Sequence, residues 1–265
     1  MALEFPAHRS LGLLALREAG ARSPEGWSYG GKARGSVTVP PGKEARLDVA
    51  PEAVDDLSPL AALPPDGLQG LNFHGTPLTD AGLAHVQHLT GLLGLDLGGT
   101  RITDEGLAPL RRLTGLRGLT LAQTRIGDAG LAHLQRLARL GWLDLSETRV
   151  TDSGLVHLRE LVELRELNLW RAAVSDHGLA SLRGLRRLRH LGLSETQVTD
   201  AGLPQLGEMR ELEWLDLSET SISDAAVATL AGLRSLRKLD LWDTQVSLEG
   251  EAKLEQALPG CAIAR

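Results

Sequence analysis

Leucines recur along most of this chain at a spacing of 24 residues, and an apolar residue follows each of them two positions later. The same register reaches Leu47 and Val49 towards the N-terminus and Ile263 towards the C-terminus. Self-similarity at this period predicts a solenoid, in which each unit packs only against its two neighbours. The leading leucines of the units are Leu71, Leu95, Leu119, Leu143, Leu167, Leu191, Leu215 and Leu239.

Each unit contains two apolar periods. Residues Leu140 to Leu161 follow the pattern L-x-x-L-x-L-x-x-T-x-[IV]-T-D-x-G-L-x-x-L-x-x-L. Alternation at its start predicts a strand, and the later spacing of three predicts a short helical or 3₁₀ segment. Pro109 and Pro204 fall in that second segment, where they would interrupt a long helix. We therefore predict an α/β fold: a solenoid with a curved parallel sheet inside and short helices outside, its strands about 4.8 Å apart.

Polar residues form two further columns. Aspartates open the second segment, next to threonine or serine, and we expect these side chains to cap free backbone N–H groups rather than to bind metal. Threonines just after each strand are expected to bond backbone groups of neighbouring units. The first column is Asp80, Asp104, Asp128, Asp152, Asp176, Asp200 and Asp224; the second is Thr76, Thr100, Thr124, Thr148, Thr196, Thr220 and Thr244, with a gap at Ala172.

This unit resembles the repeat of the leucine-rich-repeat superfamily, over about residues 45 to 265. It is most similar to the ribonuclease-inhibitor-like and cysteine-containing subclass, with threonine in place of the usual asparagine or cysteine. It is also similar to bacterial leucine-rich-repeat proteins with repeats of this length, including the GALA-type ones. The resemblance implies a leucine-rich-repeat solenoid that supplies an interaction surface, and it carries over no catalytic residue.

The two ends depart from the repeat. Residues 1–44 are expected to form a small β-rich N-terminal cap, with strands at Leu11–Leu16 and Ser36–Val39 and a turn at Gly30 and Gly31. Residues 45–265 then form a solenoid of about nine units of 24 residues, including a C-terminal cap at residues 247–265. In that cap we expect a helix from Leu248 to Leu258 and a final edge strand from Cys261 to Ile263.

Composition limits the partners and the compartment. The formal net charge is −6 and the pI is about 5.8, which disfavours nucleic acid and anionic membranes. Cys261 is the single cysteine, so no disulfide can form within the chain. Charged residues interrupt the first 20 residues, which excludes a signal peptide or membrane span there. We expect a cytoplasmic monomer.

Motifs for chemistry are missing from the sequence. No P-loop, H-E-x-x-H, C-x-x-C, G-x-S-x-G or acidic calcium loop occurs. His85, His133 and His157 share one repeat position, and we expect a solvated face there rather than a metal site. Cys261 is expected to be a small buried residue, because nothing nearby would activate it as a nucleophile. We predict no catalytic residue, cofactor or metal, and therefore no enzyme.

Side chains that alternate with the strand leucines point to the concave face, and those of the C-terminal half are acidic and aromatic. Aromatic residues on a solvated face are typical of binding hot spots. The alternative is that the tryptophans lie flat over neighbouring strand residues, and that the acids only solubilise. The predicted partner-binding residues are Trp142, Asp144, Glu147, Glu166, Trp170, Arg171, Glu195, Trp214, Asp216, Glu219, Trp242 and Asp243.

The leading hypothesis is a protein-interaction module that binds a protein or peptide of basic character. Arg171 and Ala172 break two columns beside Trp170, which makes the unit Leu164–Leu185 the favoured centre of the contact. Two alternatives stay open. The chain could be the substrate-recognition subunit of a ubiquitin-ligase-like or other enzyme complex, or a purely structural repeat array.

Overall fold

The computed structural model describes residues 1–20 and 26–265. Two antiparallel strand groups come first. β1 pairs with β4 in a separate two-stranded sheet, whereas β2 lies between β3 and β5 and is antiparallel to both. These strands are β1 (Ala2–Glu4), β2 (Gly12–Glu18), β3 (Ser28–Lys32), β4 (Ser36–Thr38) and β5 (Lys43–Val49).

Short parallel strands then extend the larger sheet from β5 to the C-terminal edge. Equivalent residues pair across neighbouring strands: Leu119 is opposite Leu143, and Leu143 is opposite Leu167. A single register therefore holds along the row of repeats. The strands are β6 (Gly70–Asn72), β7 (Gly94–Asp96), β8 (Gly118–Thr120), β9 (Trp142–Asp144), β10 (Glu166–Asn168), β11 (His190–Gly192), β12 (Trp214–Asp216), β13 (Lys238–Asp240) and β14 (Ala262–Ala264).

Short helical segments connect these strands, as predicted. The α-helices are α1 (Asp80–Leu83), α2 (Asp128–Leu131), α3 (Asp152–Leu155), α4 (Asp176–Leu182), α5 (Val227–Ala231) and α6 (Leu248–Ala257). The 3₁₀ segments are Pro51–Ala53, Ser58–Ala62, Ala84–Val86, Asp104–Arg112, Val156–Leu158, Leu203–Glu208 and Asp224–Ala226. Pro109 and Pro204 both lie in 3₁₀ segments, because proline cannot donate the backbone hydrogen bond that a longer α-helix needs.

One aliphatic core runs through the stacked units. Leu143, Leu145, Val150 and Leu155 of a single unit are fully buried, and their equivalents in the other units belong to the same cluster. Burial of each leucine contributes about 1.5–3 kcal/mol. Because one unit cannot bury its apolar face alone, stacking supplies the stability, and the positions between the leucines are left for other roles.

The aspartates at the start of the outer segments join each unit to the next one. Oδ1 of Asp128 accepts a hydrogen bond from the backbone N–H of Thr151 (2.8 Å), and Oδ2 accepts one from the Thr151 hydroxyl (2.7 Å). The expectation that aspartate caps free backbone N–H groups is confirmed, and the N–H group that each carboxylate binds belongs to the following unit. The other links run from Asp80 to Thr103, Asp104 to Gly127, Asp152 to Ser175, Asp176 to Thr199, Asp200 to Ser223 and Asp224 to Ser247.

Hydroxyl groups provide local caps in several units, but not in the segments that follow β6 and β7. Thr151 accepts a hydrogen bond from the backbone N–H of Ser153, and Ser175 accepts one from that of His177. Both kinds of cap are therefore found: these hydroxyls cap their own segments, and the carboxylates bind backbone N–H groups of the next unit.

The threonine column after the strands also differs from expectation. The Thr148 hydroxyl donates to the carbonyl of Leu145 in its own unit (2.6 Å), and the other column members make the same bond. Bonds between units were expected, but the tight turn brings each hydroxyl over the carbonyl three residues earlier. At the gap, the backbone N–H of Ala172 donates to the carbonyl of Leu169 (2.9 Å).

The termini follow the prediction in outline. Gly30 and Gly31, expected in a turn, lie within β3, and the strand expected at Leu11–Leu16 is β2. β1 and β3 were not predicted, because β1 is very short and β3 is exposed along its whole length and has no apolar alternation. Within residues 1–20 and 26–265, no helix has the length and apolar character needed to cross a membrane.

Candidate functional site

We call the side of the sheet that faces away from the helical segments the concave face. The four tryptophans predicted there occupy two different columns. Trp142 and Trp214 begin β9 and β12, whereas Trp170 and Trp242 follow the ends of β10 and β13. Members of each column are three units apart, and no two of the four rings are in contact in the described part of the chain. The tryptophans therefore do not form one aromatic cluster.

Two of the tryptophans are held by their neighbours. The Trp214 ring packs edge to face against His190, with ring centres 6.1 Å apart, and the Lys238 ammonium lies 5.6 Å from its centre. Nε1 of Trp170 donates a hydrogen bond to Oε1 of Glu195 (2.9 Å). These contacts favour the alternative interpretation, that these rings cover the sheet.

The other two tryptophans are more available. Trp142 is 37% exposed, and its ring lies beside Gly118, where an added Cβ would be 3.4 Å from Cε3 of the ring. Trp242 is 55% exposed. Of the four predicted anchors, Trp142 and Trp242 thus present the most exposed surface.

Acidic residues at the ends of two strands accept hydrogen bonds from the backbone of the turn that follows. Oδ1 of Asp144 accepts hydrogen bonds from the backbone N–H and the hydroxyl of Ser146 (2.9 and 2.7 Å). Oδ1 of Asp216 accepts the same two bonds from Ser218. One oxygen of each of these two carboxylates therefore stabilises the turn after its strand. Glu166 is instead in register with the tryptophan that begins β9, and its Oε1 lies 3.6 Å from Nδ1 of His190.

A column of left-handed residues follows the strands. In the first two of these units the position is glycine, with φ of 68° at Gly75 and 66° at Gly99. In the next six it carries a longer side chain, with φ between 51° and 56°. We call these residues the left-handed column: Gln123, Glu147, Arg171, Glu195, Glu219 and Asp243. This conformation was not predicted, although glycine at residues 75 and 99 of the same column indicates it.

Polar contacts connect the first four members of the left-handed column. Nε2 of Gln123 donates to Oε1 of Glu147 (2.7 Å), and Nε of Arg171 donates to Oε2 of Glu195 (2.6 Å). Nη1 of Arg171 also lies 3.6 Å from Oε2 of Glu147. The Arg171 guanidinium and the Trp170 indole lower the pKa of Glu195, and the Glu195 carboxylate raises the pKa of Arg171. Arg171 is thus the cation between two acids.

The last two members of the left-handed column differ from the first four. Glu219 and Asp243 are exposed and make no ion pair or side-chain hydrogen bond with any residue that the structure describes. Trp242 directly precedes Asp243 along the chain. The C-terminal end of the concave face therefore places two exposed carboxylates, neither in a direct ion pair with a described residue, near the most exposed tryptophan.

The residues considered for chemistry lie apart from this face. The described residues contain no group of three or more His, Cys, Asp or Glu side chains that could hold a metal ion. Nδ1 of His157 lies 2.7 Å from Nε2 of Gln135, and burial lowers the pKa of His133. Cys261 is half-buried, and its burial raises the pKa of the thiol.

Comparison with protein families supports the repeat. The family model described as Leucine Rich repeat matches residues 88–110. A search of the curated proteins finds no match.

Several solved structures are similar to this chain. An internalin of Listeria monocytogenes (inlF) is 25% identical, with a TM-score of 0.66. The match covers 79% of this chain and 56% of the internalin chain. Internalin C2 (inlC2) of the same organism is 27% identical and covers 80% of this chain and 92% of its own, with a TM-score of 0.63. A leucine-rich-repeat protein of Leptospira interrogans is 18% identical over 78% of this chain and 62% of its own (TM-score 0.53), which shows the fold alone.

The fold is therefore a leucine-rich-repeat α/β solenoid, as predicted from the leucine spacing. This chain spans just over half the length of the inlF structure and nearly all of the inlC2 structure. Leucine-rich-repeat proteins generally mediate protein–protein interactions.

Proposed function

We propose that this chain is a non-enzymatic protein-interaction module that binds a partner of basic character on the C-terminal half of its concave face. The observation that carries the proposal is the left-handed column. Its six residues have long side chains although their positive φ is disfavoured for every residue except glycine. The acids and the exposed tryptophans on this face supply the chemistry for binding.

The left-handed conformation makes these side chains costly. An L-residue in this region costs roughly 1–2 kcal/mol, whereas glycine adopts it without steric conflict. Glycine already serves the same turn at residues 75 and 99, so the turn itself needs no side chain. Backbone strain of this kind clusters at binding sites. The charged residues of the column are therefore explained better by recognition than by folding.

An interaction within the chain illustrates how a partner would bind. The Arg171 guanidinium lies 4.9 Å from the centre of the Trp170 ring and bonds Glu195. Trp242, Glu219 and Asp243 offer a ring and two carboxylates that make no direct ion pair or cation–π contact with a described residue. A lysine or arginine of the partner would occupy the corresponding place, since aromatic faces and carboxylates both attract cations.

The proposal also includes the domain boundaries, the repeat subclass, the source, the localisation and the oligomeric state. We propose that residues 1–44 act as the N-terminal cap and residues 45–265 as the solenoid, of the ribonuclease-inhibitor-like subclass with 24-residue repeats. The protein is proposed to be a bacterial, cytoplasmic monomer. Trp142 is proposed to extend the binding surface beyond the C-terminal end of the concave face. The antiparallel strands before β6 support the cap, because they cover the open end of the first unit.

Affinity capture from a lysate of the source cell tests this proposal. The parent chain is compared with a variant that combines Trp142→Ala, Trp242→Ala, Glu219→Gln and Asp243→Asn, and bound proteins are identified by mass spectrometry. A control that combines Glu105→Gln and Glu160→Gln changes the net charge by the same amount at exposed positions of the outer segments. We expect a protein retained by the parent and the control but lost by the variant. Equal retention by all three would refute the proposed site.

A further inference from the structure

A second charged region lies at the opposite edge of the sheet, where β12, β13 and β14 begin. A depression of about 540 Å³ is lined there by arginines from three successive units, with Leu236 and Pro259 as apolar lining. The arginines are Arg189, Arg210, Arg234 and Arg237. Their positive charge is concentrated although the chain as a whole is acidic.

The carboxylates in this depression are already engaged. Nη2 of Arg189 lies 3.2 Å from Oε2 of Glu211, and Nη1 lies 3.5 Å from Oε1 of Glu213. One arginine therefore satisfies both acids. Along the same edge, the preceding arginines are also paired, Arg186 with Glu208 and Arg187 with Glu163.

The remaining arginines keep unused donors. Nη1 of Arg234 donates to the carbonyl of Ala257 at the end of α6 (2.7 Å), which fixes the position of its guanidinium. Arg210 and Arg237 are exposed and make no ion pair or side-chain hydrogen bond with any described residue. Three guanidinium groups thus line one depression without a carboxylate of their own, which leaves their donors open to an anion.

The charge of the depression indicates which anion fits. Four arginines and two glutamates give a formal charge of +2. A phosphate monoester carries about −1.5 to −2 at neutral pH, and its oxygens match the planar donor fork of arginine. We propose that this depression binds a dianionic phosphate group, held by Arg210 and Arg237 and supported by Arg234. The inference does not rest on the proposed function, because none of these residues belongs to the concave binding surface.

Titration with inorganic phosphate at constant ionic strength, followed by the arginine side-chain NMR signals, tests this site. We expect saturable shifts at Arg210 and Arg237. The variant that combines Arg210→Gln and Arg237→Gln should bind at least about tenfold more weakly, since each charged hydrogen bond contributes about 1.5–3 kcal/mol. A control that combines Arg112→Gln and Arg136→Gln removes the same charge at exposed positions elsewhere and should bind like the parent.

Acetate and a phosphoserine tripeptide with blocked ends complete the experiment. Acetate, a monoanion, should bind much more weakly than phosphate. Stronger binding of the tripeptide than of inorganic phosphate would indicate a phosphorylated side chain as the ligand, and the reverse would indicate free phosphate; both results support the site. Shifts that do not saturate, equal binding by the Arg210 and Arg237 variant, or equal binding of acetate would overturn the proposal.

Discussion

Arg171 and Glu195 occupy equivalent left-handed positions in adjacent repeats, and Nε of Arg171 donates a hydrogen bond of 2.6 Å to Oε2 of Glu195. This contact divides the left-handed column into two parts. Glu147 and Glu195, one on each side of Arg171, are paired with it, whereas Glu219 and Asp243 make no direct ion pair with a described residue. We therefore propose the units that carry Glu219 and Asp243 as the centre of contact, in place of the unit around Trp170.

Removal of the Arg171 charge should raise the pKa of Glu195. The Arg171 guanidinium is the largest cause of the lowered pKa, and the Trp170 indole is the second. In the Arg171→Gln variant we expect the pKa of Glu195 to return towards its ordinary value of 4.5. A titration of the Glu195 side-chain carboxyl by carbon-detected NMR measures this.

The lowered pKa of Glu195 also makes the free energy of unfolding depend on pH. Because the pKa of Glu195 is lower in the folded chain than in the unfolded one, its carboxylate stabilises the folded state above the ordinary pKa. This contribution disappears as the pH falls through the lowered value. An unchanged pKa of Glu195 in Arg171→Gln would contradict the assigned cause.

Glycine in place of Glu219 should leave the fold intact. The substitution removes the cost of a left-handed L-residue, roughly 1–2 kcal/mol, and adds about 0.5–1 kcal/mol of backbone entropy cost. We expect the free energy of unfolding of Glu219→Gly to stay equal or to rise by up to about 1 kcal/mol, as measured by urea denaturation. The reverse change, Gly75→Ala, has open space around the added Cβ and should lower it by roughly 1 kcal/mol. A clear loss of stability in Glu219→Gly would show that its side chain supports folding.

Loss of the Asp128 carboxylate should weaken the contact between two units. Asp128→Ala leaves the backbone N–H and the hydroxyl of Thr151 without their acceptor. Unpaired, partly buried donors of this kind cost about 1–3 kcal/mol, so the urea midpoint should fall accordingly. Asp128→Asn keeps one acceptor oxygen and should lose less. Glu105→Ala, at an exposed position of an outer segment, serves as the control and should change little.

The fold could be predicted because its main determinant is local and repeated. A leucine at every twenty-fourth position identifies the strand, its buried face and the register at once. The aspartate contacts could not be predicted in the same way. Their acceptor and donor lie 23 residues apart, and only the offset between stacked units brings Asp128 to Thr151 rather than to its own segment.

The candidate site was only partly predictable. Alternation along the strands placed Trp142 and Trp214 on the concave face, but side-chain packing decides that Trp214 contacts His190 while Trp242 stays exposed. The role of Asp144 in its own turn depends on the backbone path after the strand. The paired and unpaired acids became distinguishable only once the position of the Arg171 guanidinium was known.

Selection of peptides from a random displayed library tests whether the C-terminal end of the concave face binds basic partners. It needs no knowledge of the natural partner. The parent chain is used for selection, and the selected peptides are then titrated against three proteins. These are the parent, the variant that combines Trp242→Ala, Glu219→Gln and Asp243→Asn, and the control that combines Glu105→Gln and Glu160→Gln.

We expect the selected peptides to be enriched in lysine and arginine and to bind the parent and the control equally well. Their affinity should fall as the salt concentration increases. Their affinity for the variant should be at least about tenfold lower, since an aromatic hot spot alone is worth about 2 kcal/mol or more. Peptides without basic enrichment, or basic peptides that bind the variant as tightly as the parent, would contradict the claim that this end of the concave face is the binding site.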